Sequence, residues 1–169
     1  EIRDRWHAIT GPWPPLLNEP KIEYLEEQRR DNFTQHHVRI QIAPGRSTDD
    51  AYLLKPDGNG PFPAVVVVYY ESLTGIGLGK SPLRDFASQL ARRGFVTLSL
   101  GSAPRTFYPS ENDARLQPLA FHAYVAANGW QALANLPYVD AQRIGIVGHS
   151  YGGKWAMFAS CLFDRFACA

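Results

Sequence analysis

The spacing of apolar residues along this chain changes near position 60. Before it, His37-Val38-Arg39-Ile40-Gln41-Ile42 alternates with a period of two, as a strand with one wet face does. Ala51-Tyr52-Leu53-Leu54 is predicted to be its antiparallel neighbour, reached through the turn-rich Pro44-Gly45-Arg46-Ser47. The first sixty residues, rich in proline at Pro12, Pro14, Pro15 and Pro20, otherwise predict irregular chain, apart from residues 20–30, which read as a short charged helix.

After position 60 the runs become continuous. Pro63-Ala64-Val65-Val66-Val67-Val68-Tyr69-Tyr70 has the β-branched content of a strand covered on both faces. A helix is expected next, with Ser81 as N-cap, Pro82 at the first helical position and Gly94 as the stop. Its apolar stripe would be Leu83, Phe86, Ala87, Leu90 and Ala91. Phe95-Val96-Thr97-Leu98-Ser99-Leu100 predicts a second buried strand. A polar loop over 101–113 then leads to a helix over 116–136. Arg143-Ile144-Gly145-Ile146-Val147-Gly148 predicts a third buried strand, and 151–162 a third helix. Strands alternating with helices at this spacing imply βαβ crossovers. The expected fold class is α/β: a mostly parallel sheet with an antiparallel edge and flanking helices. Residues 1–36 read as an N-terminal extension.

Composition narrows the function classes. Of 169 residues, 45% are apolar and 20% charged, with a net charge of +1, which favours neither a nucleic acid nor an acidic membrane as partner. Cys161 and Cys168 are too few for a disulfide framework or a four-ligand zinc site. No apolar run reaches the length of about 18 residues expected of a membrane span. The chain opens at Glu1 without a signal-peptide pattern, as a processed or trimmed chain would.

The strand ending at Val147 runs directly into Gly148-His149-Ser150-Tyr151-Gly152-Gly153, with a helix expected at once. This is G-x-S-x-G in the strand–turn–helix setting that the motif requires. A serine on such a turn projects its hydroxyl from the C-terminal edge of the sheet, and glycines two before and two after remove clashing side chains. The helix start aims free N–H groups at a developing oxyanion, the N–H of Tyr151 first.

Residues 138–153, Tyr-Val-Asp-Ala-Gln-Arg-Ile-Gly-Ile-Val-Gly-His-Ser-Tyr-Gly-Gly, resemble the α/β-hydrolase superfamily. They are most similar to the branch of dienelactone hydrolases, acetyl xylan esterases and prolyl-oligopeptidase-type enzymes. Ala51-Tyr52-Leu53-Leu54-Lys55-Pro56 and the strand after it resemble the opening strands of that branch. The resemblance implies that residues 37–169 are the N-terminal portion of one hydrolase domain. It also implies a serine esterase acting through an acyl-enzyme on Ser150, without metal or organic cofactor. The implied partner is a small acyl-ester substrate, on carbohydrate if the branch is followed further; a polysaccharide ester would favour a secreted or periplasmic setting. A second oxyanion donor is expected from the loop Tyr69-Tyr70-Glu71-Ser72-Leu73-Thr74, through the backbone N–H of Tyr70 or Glu71 or a tyrosine hydroxyl, where this sequence departs from the common His-Gly pattern. Glu71 reads equally as a substrate contact or a solvated carboxylate.

Chain order in this fold is nucleophile, acid, histidine, and no histidine follows Ser150. Asp164 lies beyond a helix expected to carry it about 18 Å away, and Asp140 precedes the elbow strand. His149 is expected to point away from Ser150. His122 lies on a flanking helix, and His36 and His37 on a solvent-facing strand. Phe166-Ala167-Cys168-Ala169 reads as the opening of a fourth parallel strand. The triad acid and histidine are therefore expected on the C-terminal half of the domain, outside this chain as a second chain or missing segment. Two rivals remain. One is an inactive hydrolase-fold scaffold. The other is a phosphate loop at Thr74-Gly75-Ile76-Gly77-Leu78-Gly79-Lys80-Ser81, disfavoured because Thr74 stands where the motif needs glycine. Trp130 and Trp155 are expected in the core, and Trp6 and Trp13 as packing residues or a carbohydrate platform.

Overall fold

A computed structural model describes residues 1–103 and 106–169; Pro104 and Arg105, within the expected loop over 101–113, lie outside the described residues. Helix α1 (Ile2–Thr10) precedes strands β1 (Ile22–Arg29), β2 (Phe33–Ala43), β3 (Arg46–Thr48) and β4 (Ala51–Pro56). Strand β5 (Phe62–Val68) leads through the one-turn helix α2 (Ser72–Gly75) and a 3-10 turn (Pro82–Arg84) into α3 (Phe86–Arg92). Then come β6 (Val96–Leu100), β7 (Tyr108–Pro109), β8 (Ala114–Leu116), α4 (Pro118–Ala134), β9 (Val139–Gly148) and α5 (Tyr151–Leu162).

The main sheet runs β1-β2-β4-β6-β5-β9, with β3 paired to β2. Strands β6, β5 and β9 are mutually parallel, and the β1–β4 flank is antiparallel. This is the expected α/β class, as a mixed sheet. The β-branched run of β5 explains its central place. Val66 and Val68 face the cluster containing α4 and α5, whereas Val65 and Val67 face α3. Alternation along one strand thus fills two cores, which requires apolar residues at every position. Parallel order brings the C-terminal ends of β5, β6 and β9 to one edge.

Three elements differ from expectation, the first being helix α1 over Ile2–Thr10, which lies ahead of the prolines in chain expected to be irregular. Residues 22–29 form an edge strand, not a helix. Their glutamates favour helix locally, but pairing with β2 overrides that preference. Glu23 accepts from Arg39 at 2.9 Å across the pair, and Glu27 lies 3.5 Å from His36. The helix expected from Ser81 to Gly94 is broken at Asp85, so Leu83 falls off the apolar stripe and is 89% exposed. Gly94 does close α3, with a φ of 91° that disfavours side chains.

The first 36 residues are packed onto the rest. Trp13 and Leu16 join the larger core, Pro15 O accepts from the Tyr124 hydroxyl at 2.8 Å, and Leu17 N donates to Asn128 at 2.9 Å. Trp13 stands edge-on to Tyr124, and Trp6, half exposed, edge-on to Phe158. Beyond α5, Ala167 N donates to Ile144 O and Ile146 N to Cys168 O along the outer edge of β9, without a regular strand over 166–169. Among the described residues no helix is long and apolar enough to cross a membrane.

Trp130 is 1% exposed, with Phe163 edge-on at 5.6 Å and the Arg165 guanidinium 3.9 Å over its ring. Trp130→Ala is expected to cost about 3–5 kcal/mol of unfolding free energy. A denaturant titration with an unchanged midpoint would remove Trp130 from the core.

Candidate active site

Strand β9 passes into α5 through a single turn at Ser150. Its φ of 57° and ψ of −115° make Ser150 the one non-glycine residue with positive φ among those described. Such a conformation costs on the order of 1–3 kcal/mol and persists only where neighbours enforce it. The enforcement is visible in the flanking glycines. A Cβ on Gly148 would lie 2.1 Å from Gly152 O, and one on Gly152 would lie 2.1 Å from Val68 O. The turn is therefore pressed against itself and against the end of β5. Gly153 differs, since a Cβ there would meet only Gly148 O, at an ordinary 3.6 Å. The motif's third glycine is not a steric requirement.

Ser150 is exposed and stands as N-cap of α5, with Tyr151 as its first helical residue. First-turn N–H groups have no intrahelical acceptor, so this terminus can bind negative charge. Across from it runs the loop after β5. Tyr70, half exposed, stacks on Tyr151 with ring centroids 5.3 Å apart and planes at 22°. Among the described residues, the N–H groups of Tyr70 and Glu71 have no hydrogen-bond partner. The Glu71 carboxylate caps its own loop, accepting from the Thr74 hydroxyl at 2.9 Å.

That loop is tied down from beneath. Ser72 N donates to an Asp50 carboxylate oxygen at 2.9 Å, and the Ser72 hydroxyl donates to the same oxygen. Ser99 donates to Ser72 O at 2.9 Å, and Gly101 N to Asp50 O at 2.9 Å. Ser102 donates to Tyr70 O through both its N–H and its hydroxyl. Arg84 donates to the Tyr69 hydroxyl at 2.6 Å. No local sequence signal links residue 50 to residue 72, so this support escapes motif reading.

The histidines separate into distinct roles. His149 is exposed, its ring 6.4 Å from that of Tyr69. His122 is wholly buried in α4, with Nδ1 3.0 Å from the Tyr151 hydroxyl and Nε2 without a partner among the described residues. Burial lowers its pKa from 6.5 to about 4, which keeps the ring neutral. His36 and His37 are part-buried rather than solvent-facing: His36 lies beside Glu27, and His37 Nε2 lies 2.7 Å from Asp49 O. Of the carboxylates, Asp164 pairs with Arg3 and Asp140 with Arg143. The phosphate-loop reading also meets an obstacle. Gly77 N, Leu78 N and Gly79 N donate to Thr74 O and Leu73 O, so these groups turn inward.

A model of the prolyl oligopeptidase family matches residues 125–169. The 4-O-methyl-glucuronoyl methylesterase of Neurospora crassa is 28% identical over 134 residues, covering 77% of this chain and 33% of that protein. Among solved structures, a protein assigned as an acetyl xylan esterase from Bacteroides fragilis superposes with a TM-score of 0.74 at 14% identity, over 98% of this chain and 50% of that one. A glucuronoyl esterase from Solibacter usitatus gives 0.69 at 18% identity, over 97% and 55%. The chain thus spans about half the length of these structures and a third of that curated relative. The chain has the α/β-hydrolase fold of these structures, and the matches fall in the branch that the sequence resembles.

Two measurements probe the geometry. Gly153→Ala is expected to hold or raise stability by up to about 1 kcal/mol, as alanine does in a helix. Gly152→Ala should destabilise the fold clearly, so equal melting temperatures for the two variants would contradict the close approach to Val68. For His122, an unfolded chain takes up a proton as pH falls through 6.5, whereas the folded ring resists until about 4. Stability should be full above pH 6.5 and fall at up to about 1.4 kcal/mol per pH unit towards pH 4. Asp57, Asp113 and Asp140, held below the usual carboxylate range by hydrogen bonds from their arginine partners, act at lower pH. His122→Gln should flatten the slope between pH 6.5 and 4 in urea titrations.

Proposed function

We propose that this α/β-hydrolase chain supplies the nucleophile of a serine hydrolase that cleaves carboxylic esters through an acyl-enzyme on Ser150. The supporting observation is the turn itself: a serine held at positive φ, exposed, at the start of a helix and at the C-terminal edge of parallel strands. Attack by the Ser150 hydroxyl on an ester carbonyl develops negative charge on the carbonyl oxygen. The N–H of Tyr151 and that of Tyr70 or Glu71 are the donors proposed to stabilise it, and one such donor is worth on the order of 10²–10³ in turnover. Gly148 and Gly152 permit the turn, and His149 forms part of the wall near Tyr69. A serine hydroxyl is a poor nucleophile near neutral pH without a base. The triad histidine and acid are proposed on a segment outside this chain, completing the same domain, because no histidine follows Ser150 and the aspartates nearest in chain order are held by arginines.

The proposed substrate is a small acyl ester or methyl ester borne on carbohydrate, as the names of the matched esterases suggest. Such a substrate favours a secreted or periplasmic setting. Chemistry at Ser150 requires no metal or organic cofactor.

A fluorophosphonate probe tests the assignment in the intact protein. Labelling should occur at Ser150 and vanish in Ser150→Ala with folding retained. Silence of a well-folded intact protein would favour the inactive-scaffold reading instead.

A further inference from the structure

Three groups meet where sequence reading saw separate elements. Tyr151 belongs to the elbow, Tyr70 to the loop after β5, and His122 to the buried face of α4. The ring of Tyr151 is held on two sides. Tyr70 stacks on its face at 5.3 Å, and the His122 ring stands edge-on at 5.6 Å and 86°. Its hydroxyl lies 3.0 Å from His122 Nδ1. His122 is itself immobilised. Its ring lies 4.6 Å from that of Trp155 on α5, and the Trp155 indole N–H donates to the His122 carbonyl. With no exposed surface, His122 reaches the site through the Tyr151 phenol.

His122 Nε2 has no hydrogen-bond partner among the described residues. Burying a polar nitrogen without a partner is costly, on the order of 1–3 kcal/mol. A leucine or phenylalanine would fill the same space against Trp155 without that cost. The imidazole offers what those residues lack: a nitrogen at the Tyr151 hydroxyl. In either neutral tautomer the pair shares one hydrogen bond. Loss of that bond frees the phenol to rotate and loosens its stack with Tyr70.

We propose that His122 is a positioning residue: from inside α4 it holds the Tyr151 phenol against Tyr70, and so sets the gap between the two backbone segments that flank the oxyanion. The proposal rests on the assignment of Ser150 as nucleophile. It accounts for a tyrosine beside the serine, since its ring covers Tyr70 while its hydroxyl reaches His122 on α4. The effect is confined to transition-state stabilisation, because a carbonyl oxygen draws strongly on both donors only once it carries charge.

The test is a double-mutant cycle in the intact protein with p-nitrophenyl acetate as substrate. Tyr151→Phe keeps the ring and removes the hydroxyl, and His122→Leu keeps the volume and removes the nitrogen. Each should lower kcat about three- to tenfold with KM little changed, as expected for one hydrogen bond. The double variant should be no worse than the poorer single one. His122→Asn, whose amide can stand in for Nδ1, should recover much of the loss. Wild-type kcat in Tyr151→Phe, additive losses, or a rise in KM alone would each overturn the positioning role. A wild-type protein that neither turns over nor labels with fluorophosphonate would instead remove the Ser150 assignment, and this inference with it.

Discussion

The architecture depends on one close approach: the main chain at Gly152 lies against the carbonyl of Val68, nearer than any side chain would allow. That contact brings the start of α5 down onto the end of β5. Ser150 joins strand to helix beside it at a φ of 57°. Strain at one residue and burial of a whole helix are therefore parts of the same arrangement. Trp155, Ala156, Ala159 and Leu162 seat α5 in the core, and their combined burial far outweighs a penalty of a few kcal/mol at the turn.

Most of this frame was legible in the sequence, for reasons that can be stated residue by residue. A run such as Val65–Val68 has no polar position with which to face water, so a strand between two helical layers is its only comfortable place. The elbow announces itself because tight turns demand glycine at fixed offsets. Residues 22–29 were misread because glutamate-rich segments carry a helical bias that a neighbouring strand can override. Leu83 was misplaced because a single break at Asp85 shifts the phase of every residue before it.

The candidate site was only half legible. Ser150 and its glycines are local in sequence, and so readable. The supports are not: Asp50 meets Ser72 across 22 positions, and His122 meets Tyr151 across 29. Contacts of that range leave no periodicity in the chain. They arise from the order of strands in the sheet, which places the turn before β4 beside the exits of β5 and β6. The histidine set aside because its helix flanks the sheet meets Tyr151 only once α4 is laid beside α5.

Asp50 joins more than one loop. Its carboxylate holds Ser72 and its carbonyl holds Gly101, so the chain leaving β5 and the chain leaving β6 share a single anchor on the antiparallel flank. Neither segment can shift by itself without disturbing the anchor that it shares with the other. Displacement at one strand exit is passed to its neighbour, so the two behave as one mechanical unit rather than as separate loops.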